Sequence, residues 1–224
     1  MKRWLAGAWS VFEKDLRLEF RSRYAINVLL MFVLSALLLI VFAIGQQPIS
    51  ARVQSALLWV VIMFAAAVGL GRAFIQEEER GTVLLLRLNT RGSMVYAGKL
   101  LFNFLLLLLV NLVGLIAFVF FLNVAVMHWD LLVTTLVLGS LGLAGASTLL
   151  GALIARAANR GPMLPVLMFP TLLPLLLSVV SATRSSLEGG LGWSAAGDDT
   201  ATLVSFSGVV ITLAFLLFDY VWDD

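Results

Sequence analysis

The sequence predicts an all-α membrane protein, with six transmembrane helices preceded by an amphipathic helix lying in the membrane interface. Three observations predict it. Of 224 residues, 61% are hydrophobic and 12% charged, whereas soluble domains carry roughly 45–50% and about 25%. The apolar residues gather into six runs, each close to the ~20 residues that cross a bilayer. Lys and Arg fall almost entirely in alternate connections between those runs. Together these predict one membrane domain over residues 1–224. The net charge is only +2 and the basic residues are distributed by loop, so nucleic acid is set aside as a partner. The chain has no cysteine, which excludes disulfides, thiolate metal sites and a Cys nucleophile.

Residues 1–24 form the interfacial helix. At 100° per residue, Leu5, Trp9, Phe12, Leu16 and Phe20 share one narrow face, while Arg3, Ser10, Lys14, Arg17 and Arg21 lie opposite. A segment this charged does not span a bilayer, but it suits the headgroup layer.

The spans are predicted at residues 25–45, 53–73, 100–126, 131–155, 163–182 and 201–222. The connection at residues 74–99 is long and charged, residues 127–130 make a tight turn, and residues 183–200 form a polar, Gly-rich loop. With the N-terminus in the cytoplasm, thirteen Lys and Arg residues fall inside, and only Arg52 and Arg184 fall outside. The positive-inside rule therefore puts both termini in the cytoplasm.

The connection at 74–99 is the sizeable cytoplasmic segment, and it is read as the coupling element for a soluble motor subunit. Its candidate contacts are Glu77, Glu78, Arg80, Gly81, Leu84, Leu85, Leu86, Arg87 and Arg91, with an apolar ridge running from Leu84 to Leu88 between charges. Glu77, Glu78 and Glu79 are not read as a metal cluster, because consecutive helical side chains point about 100° apart. The equally open alternative is a short interfacial helix that only ties two spans together.

Pro162, Pro165, Pro170 and Pro174 punctuate the fifth span. Interior prolines remove helix hydrogen bonds, so these four are read as a hinge or as a kinked structural helix. In the fourth span, Gly139, Gly142, Gly145, Ser147, Gly151 and Ala155 give a small-residue stripe for close helix packing. Asn103 and Asn111 in the third span are read as interhelical hydrogen-bonding groups. The sole histidine, His128, sits in the turn after that span. No catalytic, cofactor-binding or metal-ligating set is assigned, and no phosphate-cradling Gly-x-x-x-x-Gly-Lys-Ser/Thr loop occurs. Any ATP in the system therefore belongs to another subunit.

The layout resembles that of ABC-2-type exporter permeases and, more narrowly, the CcmB or haem exporter B family of cytochrome c maturation. The residues that carry the resemblance are Leu57-Leu58-Trp59-Val60, Arg72-Ala73-Phe74 followed by acidic residues and Gly81, Ala97-Gly98-Lys99-Leu100, and Arg160-Gly161 before the Leu164-Pro165 to Leu175 run. Leu88-Asn89-Thr90-Arg91 stands where the family often has proline. The resemblance implies an ABC-2 (type V exporter-like) permease fold in the bacterial inner membrane. It implies as partners a cytoplasmic ABC ATPase that binds ATP, a second permease copy, a haem-handling membrane protein and a small tethering subunit. The implied role is non-catalytic: coupling ATP hydrolysis to haem delivery or to release of a haem-loaded chaperone, with haem handled by the complex. A permease exporting a drug, lipid or polysaccharide would share the layout.

Overall fold

The computed structural model describes residues 2–45, 47–70, 77, 81, 86, 88, 90–155, 160–190 and 192–223, without the side chains of 160–165 and 220–223. Among these, seven helices are described: α1 Lys2–Ser22, α2 Tyr24–Ile44, α3 Ala51–Gly69, α4 Gly92–Leu122, α5 Trp129–Ala155, α6 Arg160–Leu187 and α7 Gly192–Asp223. Six of them, α2 to α7, are long and apolar enough to cross a membrane, and the protein is a multi-pass membrane protein.

α5 is the hub. Two-thirds of its most apolar window is buried, against 17% for α2, and it packs on α4, α6 and α7. The small-residue stripe permits this. A Cβ at Gly142 would stand 2.7 Å from Leu175 Cδ1, and one at Gly139 would stand 2.9 Å from Val179 Cγ1. The stripe thus brings α5 against its own chain. α2, by contrast, leaves Met31, Leu38, Leu39 and Phe42 exposed, as a helix solvated by lipid tails does.

Polar groups inside the bundle bond across helices. Asn103 Nδ2 donates to Thr148 Oγ1 at 2.9 Å, and Asn111 Nδ2 donates to Ser140 Oγ at 2.7 Å, both joining α4 to α5. Trp59 Nε1 donates to Thr183 Oγ1 at 2.8 Å, joining α3 to α6.

Two boundaries differ from the sequence reading in an informative way. α4 starts at Gly92, eight residues before the predicted 100, because the glycine and charge that suggested a connection are consumed by packing. The predicted loop at 183–200 is largely helix: α6 runs to Leu187 and α7 begins at Gly192. Thr183, Ser185 and Ser186 are buried. Thr183 holds the Trp59 indole, Ser186 Oγ donates to the Thr183 carbonyl at 2.6 Å, and the Ser186 carbonyl accepts from the N–H groups of Met127 and His128. Polar side chains satisfied in this way need no loop.

The prolines do not interrupt α6, which is a single helix from Arg160 to Leu187. Pro170 and Pro174 lie on its exposed side with Val166, Phe169, Leu173 and Leu177.

Candidate functional site

The candidate site is a junction where α1, the connection around Glu77 and the first turns of α4 meet. α1 is less simple than its sequence pattern suggests. Leu5, Trp9 and Phe20 are exposed, as a lipid-facing stripe requires, but Phe12 is buried. The packing face is offset from the apolar stripe and carries Val11, Asp15 and Glu19, all buried.

Gly98 lets α1 settle against α4. A Cβ there would lie 2.6 Å from the Ala8 carbonyl oxygen and 2.7 Å from Val11 Cβ. At the near end, Trp4 Nε1 donates to Ser93 Oγ at 3.3 Å, and the Trp4 ring lies 6.1 Å from that of Phe215.

The close approach of α1 and α4 buries charge. Lys99 is 1% exposed, and its Nζ stands 3.1 Å from Asp15 Oδ2 and 3.1 Å from Glu77 Oε1. Lys14 completes the group, with Nζ 3.0 Å from Asp15 Oδ1 and bonded to Glu77 Oε1. Two cations and two carboxylates from three chain segments thus form one electrically neutral network. Burying a lone ammonium would be prohibitive, so the neighbours are what allow Lys99 inside. At Lys14, desolvation pulls the pKa down, but Asp15 and Glu77 outweigh it and hold the pKa above its ordinary value. Glu19 serves a separate purpose: its Oε1 accepts from the Ile26 N–H at 2.8 Å, satisfying a donor in the first turn of α2.

α7 closes the junction. Asp219 Oδ1 accepts from the Ser93 N–H at 2.8 Å, so a carboxylate of the last helix supplies the cap that Arg91 does not give α4. Tyr96 packs edge-on against Phe215 and tilted on Phe218.

The predicted coupling residues distribute as follows. Glu77 is buried in the network and so positions the connection. Gly81 has φ +66°, the left-handed conformation expected of a helix-ending glycine. Leu86 is partly buried and packs on the cluster of Val11, Val95 and Tyr96. Leu88, on the same ridge, is 82% exposed. Arg91 is exposed at the start of α4. Glu78, Arg80, Leu84, Leu85 and Arg87 lie outside the described residues. The sequence reading placed Lys14 on the basic face of α1 and Lys99 in a family motif, but it brought neither of them, nor Asp15, to the site. A charge at the eighth residue of a long apolar helix was the available signal, and it demands a buried counter-ion.

At the opposite end of the bundle the polar groups also converge. His128 is half-buried beside Gly192, which has φ +53° and where a Cβ would stand only 3.0 Å from His128 Nε2. Trp193 Nε1 donates to Asp130. The hydrogen bond from Arg184 Nε, with Arg52 adding charge, holds the Glu188 carboxyl below its ordinary range. Among the described residues, no group of three His, Cys, Asp or Glu side chains could hold a metal ion.

Comparison with known proteins places these features in a family. The chain is similar to heme exporter protein B of Bradyrhizobium diazoefficiens, with 25% identity over 189 residues covering 83% of this chain and 85% of the relative. It is likewise similar to heme exporter protein B of Rhodobacter capsulatus, with 28% identity over 182 residues covering 80% and 84%. The CcmB protein family model matches residues 6–219, from α1 through the Asp219 cap, and the chain belongs to the CcmB family.

Proposed function

We propose that this chain is the permease subunit of an ATP-driven complex for cytochrome c maturation, acting in haem delivery or in release of a haem-loaded chaperone. The family and the names of its relatives support the haem connection. The observation that carries the mechanical part is the network at Lys99. A motor needs a segment that it can grip and a stiff path from that segment into the bundle. Here the connection is fastened through Glu77 to Lys99 on α4 and to Lys14 on α1. α4 then leads to α5 through the paired amides of Asn103 and Asn111. On this reading the α1 end faces the cytoplasm of a bacterial inner-membrane protein, and a separate ATPase binds ATP and docks on the connection between Glu77 and Arg91. The complex also holds a second permease copy, a haem-handling membrane protein and a small tethering subunit.

The test is capture of the partner ATPase by the tagged permease. Leu88→Asp changes an exposed side chain and leaves the junction intact, so it should abolish capture without lowering the thermal stability of the permease. Normal capture by Leu88→Asp together with Arg91→Glu would move the docking surface elsewhere.

A further inference from the structure

We propose that the water-facing side of α1 is a second docking surface, a basic groove that takes an acidic segment of the ATPase. The proposal deepens the reading above and rests on it, since it requires a soluble ATPase partner.

The argument begins with the division of α1 into three faces, each roughly a third of a turn from the next at 100° per residue. The first, with Val11, Asp15 and Glu19, packs on the bundle. The second, with exposed Leu5, Trp9 and Phe20, is the lipid side. The third is lined by Ser10, Glu13, Lys14, Arg17, Leu18 and Arg21, which enclose an open groove of about 340 Å³.

Its charge is complementary to carboxylates. With Lys14 committed to Asp15 and Glu77, two cations, Arg17 and Arg21, face one acid, Glu13, which Arg17 Nη2 already engages. The Arg17 side chain remains 76% exposed and keeps its other guanidinium donors for an occupant. Arg21 is exposed and has no carboxylate within ion-pair distance among the described residues. Leu18, 48% exposed on a face turned away from the lipid stripe, adds an apolar side chain to the lining. A cationic rim around an apolar contact suits an acidic peptide segment with an apolar residue.

Position selects the partner. Lys14 lines the groove and also binds Glu77, so the groove adjoins the connection on which the ATPase is proposed to dock. A protein gripping that connection would meet the groove without crossing the lipid-facing stripe.

The test uses purified ATPase titrated onto the full-length permease in nanodiscs of zwitterionic phosphatidylcholine. Arg17→Glu combined with Arg21→Glu alters exposed side chains and should weaken ATPase binding at least tenfold while flattening its salt dependence. Unchanged affinity and salt response would overturn the proposal. A loss seen only in discs containing anionic phosphatidylglycerol would also overturn it and assign the groove to lipid headgroups. Arg21→Lys keeps the charge and adds an amine, so carbodiimide should link it to an Asp or Glu of the bound ATPase. Absence of that link in a complex that forms normally would count against the groove. If the unaltered permease binds no ATPase, the functional reading itself fails and the groove falls with it. Binding that withstands both Arg substitutions removes the groove alone.

Discussion

The Lys99 ammonium lies 3.1 Å from a carboxylate oxygen of Asp15, 84 residues earlier in the chain, with both side chains withdrawn from solvent. The first span of charge-free chain after the N-terminal helix gives no hint of this meeting. Because Lys99 also reaches Glu77, removing any one member leaves the others with unbalanced charge.

Lys99→Met should therefore destabilise the permease by about 3–5 kcal/mol, the cost of leaving buried charge uncompensated. Adding Asp15→Asn to Lys99→Met should recover part of the loss, giving a coupling energy of at least about 1 kcal/mol in a double-mutant cycle. Chemical unfolding in detergent, followed by tryptophan fluorescence, measures both. Strictly additive effects would mean that the two side chains do not share a network.

The Lys14 arm responds to alkali. Its folded pKa is raised, so its contribution is fully present below the unfolded value of about 10.4 and is lost as pH rises through the higher folded value. The stability difference between the unaltered protein and Lys14→Gln should stay constant from pH 7 to about pH 10 and shrink above it. A difference already shrinking near neutral pH would contradict the direction of the shift.

Gly98→Ala should cost about 1–3 kcal/mol, because its methyl group meets the Ala8 carbonyl and Val11 rather than a flexible side-chain tip. Gly208→Ala on α7 meets nothing within 4 Å and should stabilise by up to about 1 kcal/mol through helix propensity. The same unfolding assay compares them, and equal effects would contradict the close approach of α1.

The contact of α1 with α4 can be locked. A Cβ on Gly7 would stand 3.8 Å from Met94 Cβ, a separation typical of disulfides. In this cysteine-free chain, Gly7→Cys with Met94→Cys should close a bridge under mild oxidation, visible as a mobility shift reversed by reductant. Both thiols remaining titratable after oxidation would contradict the placement of α1.

Purified without partners, the chain is expected to hold no haem tightly, since stable binding needs an axial ligand fixed in a shaped pocket and the ring of His128 faces Gly192. Haemin titration followed in the Soret band tests this. A stoichiometric shifted band that disappears in His128→Ala would establish a direct site.

The fold was legible where a local pattern carried it. Residues 25–45 form a run of apolar side chains with no neighbour needed to explain them, and α2 spans Tyr24–Ile44. The start of α4 was not legible, because Gly98 and Lys99 look like loop residues until Val11, Asp15 and Glu77 are placed beside them. The end of α6 was hidden for a similar reason: the hydroxyls of Thr183 and Ser186 suggest solvent, and only the Trp59 indole and the turn at His128 reveal their use. At the candidate site, Glu77 and Gly81 stood out locally. The direction of Leu86 depended on which surface lay opposite.

The Asp219 cap on α4 also sets an order of synthesis. Asp219 leaves the ribosome 126 residues after Ser93, whose N–H it accepts, whereas Asp15 and Glu77 both precede Lys99. The charge on Lys99 can be neutralised as soon as that residue emerges, but the amino end of α4 waits for the Asp219 carboxylate until 126 further residues past Ser93 have been made. A nascent chain stopped before Asp219 therefore holds every member of the ionic junction but lacks the carboxylate that caps α4.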